Sequence, residues 1–195
     1  STFFSQPTYQ PGMYERLKHH WFFLLILAGY LSLALAYSLV NPLFESPDEA
    51  LNYAQIRFMV EERRLPVLEP GQPTKAHHPP LYYALGALLT FWTPNDHFEA
   101  AIERINPFWA YRLWEPGADN KSLYLHDPQL ESFPYRDVAS GVHLVRWLSL
   151  LMGAGTIRCV YGTARELVGE RKEWSYVALW PAMWSDPIGT IEQMT

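Results

Sequence analysis

The sequence predicts an all-α membrane protein: two transmembrane helices, about 21–40 and 142–168, flanking a large external loop that carries amphipathic surface helices. Three observations predict it. Trp21 to Val40 is a run of twenty residues without a charge, and about 20 helical residues cross a bilayer core. A second long apolar stretch runs from Val142 to Val168. The hundred residues between them are acidic, with fourteen acidic and eight basic side chains over 41–140, a net of −6.

Composition excludes several function classes. The chain has 195 residues and a net charge of −5, which argues against a general nucleic-acid binder. Its one cysteine, Cys159, excludes an intrachain disulfide framework and a cysteine-cage metal site. Aromatic residues make up 15% and charged residues 18%, the latter below the roughly 25% of an ordinary soluble chain. The mean hydropathy of −0.13 averages two very apolar segments with a polar one.

Taken in order, residues 1–20 form a polar cytoplasmic arm ending in an interfacial turn. The first span, 21–40, is preceded by Arg16, Lys18, His19 and His20 and ended by Asn41-Pro42, with Trp21 and Tyr37 at interfacial positions. It is longer than the roughly 7–15 residues of a signal-peptide core, and no small-residue cleavage site follows Val40. Ser46-Pro47-Asp48-Glu49 reads as a helix start with a Ser N-cap, opening a helix from about Pro47 to Arg63. Residues 65–80 form a proline-rich loop. Leu81 to Trp92 is twelve residues long, too short to cross and suited to a surface helix. A further amphipathic helical stretch falls between Asp96 and Asn106, and 112–140 is irregular, with turns at Pro116-Gly117 and Asp127-Pro128.

The second span, 141–168 at its widest, carries Arg146 and Arg158. Arg146 near the outer end can snorkel; Arg158 lies deeper and is costly unless it faces protein or water. Gly153, Ala154, Gly155 and Thr156 suit close helix packing. Residues 169–195 form a cytoplasmic turn and a partial third hydrophobic segment. Arg165, Arg171 and Lys172 mark the cytoplasmic side, so the reading is a multi-pass plasma-membrane protein with a cytoplasmic N-terminus and an external loop 41–140.

Two patterns carry chemistry. Asp48 and Glu49 are adjacent carboxylates at a helix N-terminus on the external face. They can do acid–base work, and they can equally complement the helix dipole. His77-His78-Pro79-Pro80-Leu81-Tyr82-Tyr83 follows some thirty residues later. His77 and His78 could join the acidic pair around a metal, bind phosphate, or form a polar loop before the surface helix.

The ordered set FESPDEALNYAQIRFMVEERRLPV, HHPPLYYALGALLTFW and RWLSLLMGAGTIRCVYGTARELVG resembles the N-terminal part of a GT-C superfamily glycosyltransferase, close to the protein O-mannosyltransferase and aminoarabinose transferase group, with bacterial members included. The likeness covers roughly residues 20–170. It implies a polyprenyl-phosphate-sugar donor and a first-loop carboxylate acting as base toward the acceptor, a place matched by Asp48 with Glu49 beside it. Residues 47–63 and 79–92 match the surface helices that shape the donor cavity, with His77, His78 and Tyr82 as the substrate-binding candidates. Some relatives hold a divalent metal here, but no ligand of this chain is assigned to one, and no cofactor is assigned.

Such enzymes have about ten or more spans, and this chain has two and part of a third. The expectation is therefore a truncated, non-catalytic scaffold acting as a small subunit of a larger membrane complex, with the bilayer and other membrane subunits as partners. The alternative is a fragment of an active polyprenyl-phosphate-sugar-dependent glycosyltransferase with Asp48 as catalytic base.

Overall fold

The structure is a computed structural model. It describes residues 13–67, 76–112, 114–115 and 120–168, with the side chains of 13–19 excepted. The expected segment 169–195, the arm before Met13 and the Pro116-Gly117 turn lie outside the described residues. Among the described residues the chain is all-helical, with α1 (Met13–Val40), α2 (Glu49–Glu62), α3 (Leu81–Thr90), α4 (Phe98–Glu103), α5 (Pro128–Glu131) and α6 (Asp137–Val168). One isolated antiparallel bridge joins Ile105 and Tyr124. Two helices, His20–Val40 and Asp137–Leu167, are long and apolar enough to cross a membrane by length and composition.

Both long helices exceed their expected bounds. α1 starts at Met13, so residues 13–20 continue the helix where an interfacial turn was expected. That stretch contains Glu, Arg, Leu and Lys and neither Gly nor Pro, so nothing in it breaks a helix. α6 starts at Asp137, because Val138, Ala139 and Val142 bury their side chains in the loop's core. α5 is a single turn inside the stretch expected to be irregular. Asp127 Oδ1 accepts from Gln129 N at 2.9 Å, and Pro128 takes the first helical position.

The chain divides into two compact units. In the first, residues of α1 before Ser32 pack on residues of α6 after Ala154 through Phe23, Ile26, Ile157 and Tyr161. The Phe23 and Tyr161 rings stack at 4.5 Å, and His20 Nδ1 lies 2.6 Å from the Tyr161 hydroxyl.

The second unit runs from Leu33 to Gly153 and contains the loop. Its core gathers Leu43, Phe44, Tyr53, Ile56, Tyr83, Phe98, Val138 and Val142. α2 and α3 approach closely at Gly86, where a Cβ would lie 2.5 Å from Ile56 Cδ1. Gly141 of α6 is tighter: a Cβ there would meet the Tyr53 hydroxyl at 2.0 Å. Tyr53 donates to Asn95 Oδ1, and burial pushes its hydroxyl pKa up to about 12, opposed by a bond to Thr93 and reinforced by the Asp137 charge.

Arg146 is the main polar tie of this unit. It is 9% exposed and meets Glu49 bidentately, Nε to Oε1 at 2.6 Å and Nη2 to Oε2 at 2.7 Å. It also donates to the carbonyls of Ser38, Asn41 and Pro42 at 2.9, 2.7 and 2.8 Å. These include carbonyls at the end of α1, which no further helical turn can satisfy. The snorkelling expected of Arg146 is thus replaced by a closed set of internal bonds.

Candidate functional site at the start of the second helix

The acidic pair is split by the turn that precedes α2. Asp48, not Ser46, is the N-cap, in the left-handed region at φ 60°. Asp is one of the few residues that tolerates this conformation. Ser46 instead accepts from Asn41 Nδ2 through its hydroxyl at 2.8 Å, and its carbonyl takes the Glu49 amide. Asp48 is exposed, and its side chain makes no capping hydrogen bond to α2. Glu49 turns the other way. Beyond Arg146, its Oε2 accepts from the Phe44 amide at 2.8 Å.

The residues around Asp48 come from two helices and the loop between them. Asn52 lies one turn on in α2, and its amide bonds the Asp48 carbonyl at 2.8 Å. The Tyr83 hydroxyl donates to Asn52 Oδ1 at 3.1 Å and lies 3.1 Å from His78 Nδ1. With the Tyr83 proton on Asn52, His78 Nδ1 is the donor of the second bond. Burial raises the Tyr83 pKa, and the charges of Tyr82 and Asp48 raise it further. The result is a run of exchangeable protons, His78–Tyr83–Asn52, beside an exposed carboxylate.

The other residues singled out from the sequence fall elsewhere. His77 is exposed, its ring edge-on to His78 at 4.2 Å. The Tyr82 hydroxyl pairs with Ser149 Oγ at 2.9 Å. Its pKa is raised by burial, lowered by the Ser149 bond and raised by the Glu49 charge. Tyr82 therefore belongs to the Glu49 side and His78 to the Asp48 side. Among the described residues no three of His, Cys, Asp and Glu are grouped so as to hold a metal ion, so the histidine pair and the acidic pair do not form a ligand set.

Sequence reading missed Asn52 and Tyr83, although the i, i+4 spacing from Asp48 and the neighbour of Tyr82 pointed to them. It also missed a second polar centre with no local signal. The His126 ring lies between two carboxylates, Nε2 to Glu45 Oε1 at 2.8 Å and Nδ1 to both Glu131 oxygens at 3.0 Å. Glu45 further accepts from the amides of Leu123 and Tyr124, each at 3.0 Å. This centre pins the segment after α1 to the loop before α5. Beside it, a recess of about 310 Å³ is lined by Asn41, His126, Glu131 and His143.

Comparison of the chain with protein-family models, with curated proteins and with solved structures finds no match.

Proposed function

We propose that this chain is a membrane-embedded module whose external face carries a proton-accepting carboxylate, Asp48, for transfer of a sugar from a polyprenyl-phosphate donor to an acceptor hydroxyl. α1 and α6 are the spanning helices. Support for the membrane reading lies in their exposure: only 17% and 33% of their most apolar windows is buried by protein, whereas the core helix of a soluble domain is covered. The acidic loop faces outward and the basic flanks inward.

The observation that carries the chemical reading is the division of labour between neighbours. Glu49 is held by Arg146, while Asp48 is exposed beside Tyr83, Asn52 and His78. Asp48 takes the acceptor's proton, the acceptor oxygen bonds the anomeric carbon, and the polyprenyl phosphate leaves with the electrons of the broken bond. Tyr83 and His78 orient hydroxyls of the sugar.

The test uses membranes containing the protein, supplied with a panel of polyprenyl-phosphate hexoses, and follows release of polyprenyl phosphate. Asp48→Asn is expected to lower release by roughly a hundredfold or more with insertion unchanged. Equal turnover by that variant sinks the assignment.

A second reading, a non-catalytic subunit packed in a larger membrane complex, is favoured by Arg158. It is exposed on an otherwise apolar part of α6 and makes no ion pair among the described residues. A guanidinium facing lipid is costly, and an acidic partner helix removes that cost. Co-purification of a membrane subunit that Arg158→Leu releases supports it; a homogeneous lone chain in native mass spectrometry opposes it.

A further inference from the structure

We propose that Glu45, His126 and Glu131 form a proton-operated latch: one proton on the His126 ring ties α5 to the segment that follows α1, and its loss releases Glu131. The inference rests on neither the spanning reading nor the sugar chemistry.

Both ring nitrogens of His126 lie against carboxylate oxygens. Nε2 is 2.8 Å from Glu45 Oε1, and Nδ1 is 3.0 Å from each oxygen of Glu131. A neutral imidazole has one N–H, so it can donate to one carboxylate only. Its other nitrogen would then aim a lone pair at a carboxylate oxygen. Both contacts are hydrogen bonds only when the cluster holds one further proton. An imidazole is more basic than a carboxylate, so the ring carries that proton and donates on both sides.

No fixed positive charge replaces it. Among the described residues neither Glu45 nor Glu131 pairs with Lys or Arg. In the loop before α5, Lys121 Nζ is turned to the Glu115 carbonyl at 3.1 Å. The Tyr124 hydroxyl there has its pKa raised by burial and further by the Glu45 charge. Asp127, the N-cap of α5, turns its carboxylate to the Gln129 amide. From α6, His143 lines the same recess as His126 and Glu131, and Arg146 is committed to Glu49. The two carboxylates are thus drawn to one place by the ring proton.

The remaining bonds decide which side opens. Glu45 keeps the amides of Leu123 and Tyr124, each at 3.0 Å. Glu131 keeps the amides of Leu43 at 3.3 Å and Asp127 at 3.2 Å, both longer. A neutral ring therefore stays with Glu45, and Glu131 lets go. α5 is one turn long, too short to hold its own shape. Pro128 and Glu131 of α5 line the recess of about 310 Å³ together with Leu43 and His126, so release of Glu131 opens one wall of it. The closed latch binds a proton that the open one lacks. Closure is therefore favoured at the acid end and is lost as the pH rises through the titration of the ring.

The test is nuclear magnetic resonance of the full chain in detergent micelles, with nitrogen-15 in its histidines, from about pH 5.5 to 8.5. Ring nitrogen shifts report the protons on His126. Amide hydrogen exchange is read as protection relative to an unstructured amide at the same pH. His126 is expected to hold two ring protons at the acid end and one at the other. Protection of the Leu43 and Asp127 amides is expected to fall roughly tenfold across the same midpoint, while Leu123 and Tyr124 keep theirs. His126→Gln, which has no titrating proton, is expected to show no such step. A His126 ring with a single proton throughout overturns the proposal in the wild type alone, whether or not the variant folds. So does protection at Leu43 and Asp127 that does not follow the ring, or an equal step in His126→Gln.

Discussion

Arg146 and Glu49, 97 positions apart, face each other fork to fork, with the two shortest contacts at 2.6 and 2.7 Å and side-chain exposures of 9% and 14%. The pair joins the first turn of α2 to the N-terminal half of α6, and the same guanidinium holds the end of α1. Removing one member leaves the other buried without a counter-charge, a loss of about 3–5 kcal/mol for such pairs. Glu49→Leu and Arg146→Met should each lower the melting temperature in detergent sharply. The double variant should lose clearly less than the sum of the two. Additive losses in that cycle would show that the two side chains do not act as a pair.

Gly141→Ala tests the contact beneath Tyr53. The added Cβ would stand 2.0 Å from the hydroxyl oxygen, and Tyr53 is held by Asn95 and the packed core, so it cannot simply swing aside. Overpacking of this kind costs about 1–3 kcal/mol. Tyr53→Phe removes the clashing oxygen, so Gly141→Ala should cost less in that background. An equal cost in both backgrounds, read from denaturant melts, would place the strain elsewhere.

Alkaline pH should weaken the fold through the same tyrosine. An exposed tyrosine in the unfolded chain ionises near pH 10, whereas in the fold burial holds Tyr53 to about 12. Its contribution is complete below pH 10 and is lost as the pH rises toward 12, because the unfolded chain releases its proton first. The stake is about 2–3 kcal/mol for a shift of this size. Stability followed from pH 9 to 12 should fall more steeply in the wild type than in Tyr53→Phe. Parallel curves would remove Tyr53 from the account.

The His126 centre should decide whether the loop holds its shape. His126→Leu removes bonds to Glu45 and Glu131 and leaves two half-buried carboxylates facing each other. Trypsin should then cut after Lys121 several-fold faster, since that residue precedes the amides anchored by Glu45. Unchanged cutting would mean that the backbone bonds of Asn106 to Leu123 and of Leu125 to Arg104 suffice to hold this segment.

The helical elements were legible because their causes are local. Twenty uncharged residues before Asn41-Pro42 set the end of α1, and the recurrence of Leu51, Ala54, Phe58 and Met59 at helical spacing set the course of α2. The start of α2 was misread because Ser46-Pro47 has the look of a cap, and only the bond from Asn41 shows that the serine hydroxyl is already used. Asp48 and Glu49 were singled out together, but their different fates depend on an arginine 97 residues away. The placement of Tyr82 against Ser149 and the meeting of Glu45, His126 and Glu131 are likewise long-range. No periodicity records a pairing of that kind.

The Glu45 carboxylate has one more consequence. Two successive backbone N–H groups aimed at one negative group are an arrangement that proteins use to capture phosphate or sulfate. Here the amides of Leu123 and Tyr124 are filled by the chain's own carboxylate, with His126 bridging it to Glu131. The loop thus carries a self-occupied anion receptor. A free anion must displace a tethered one to enter, so this part of the loop acts as an internal staple rather than as a docking point for phosphate.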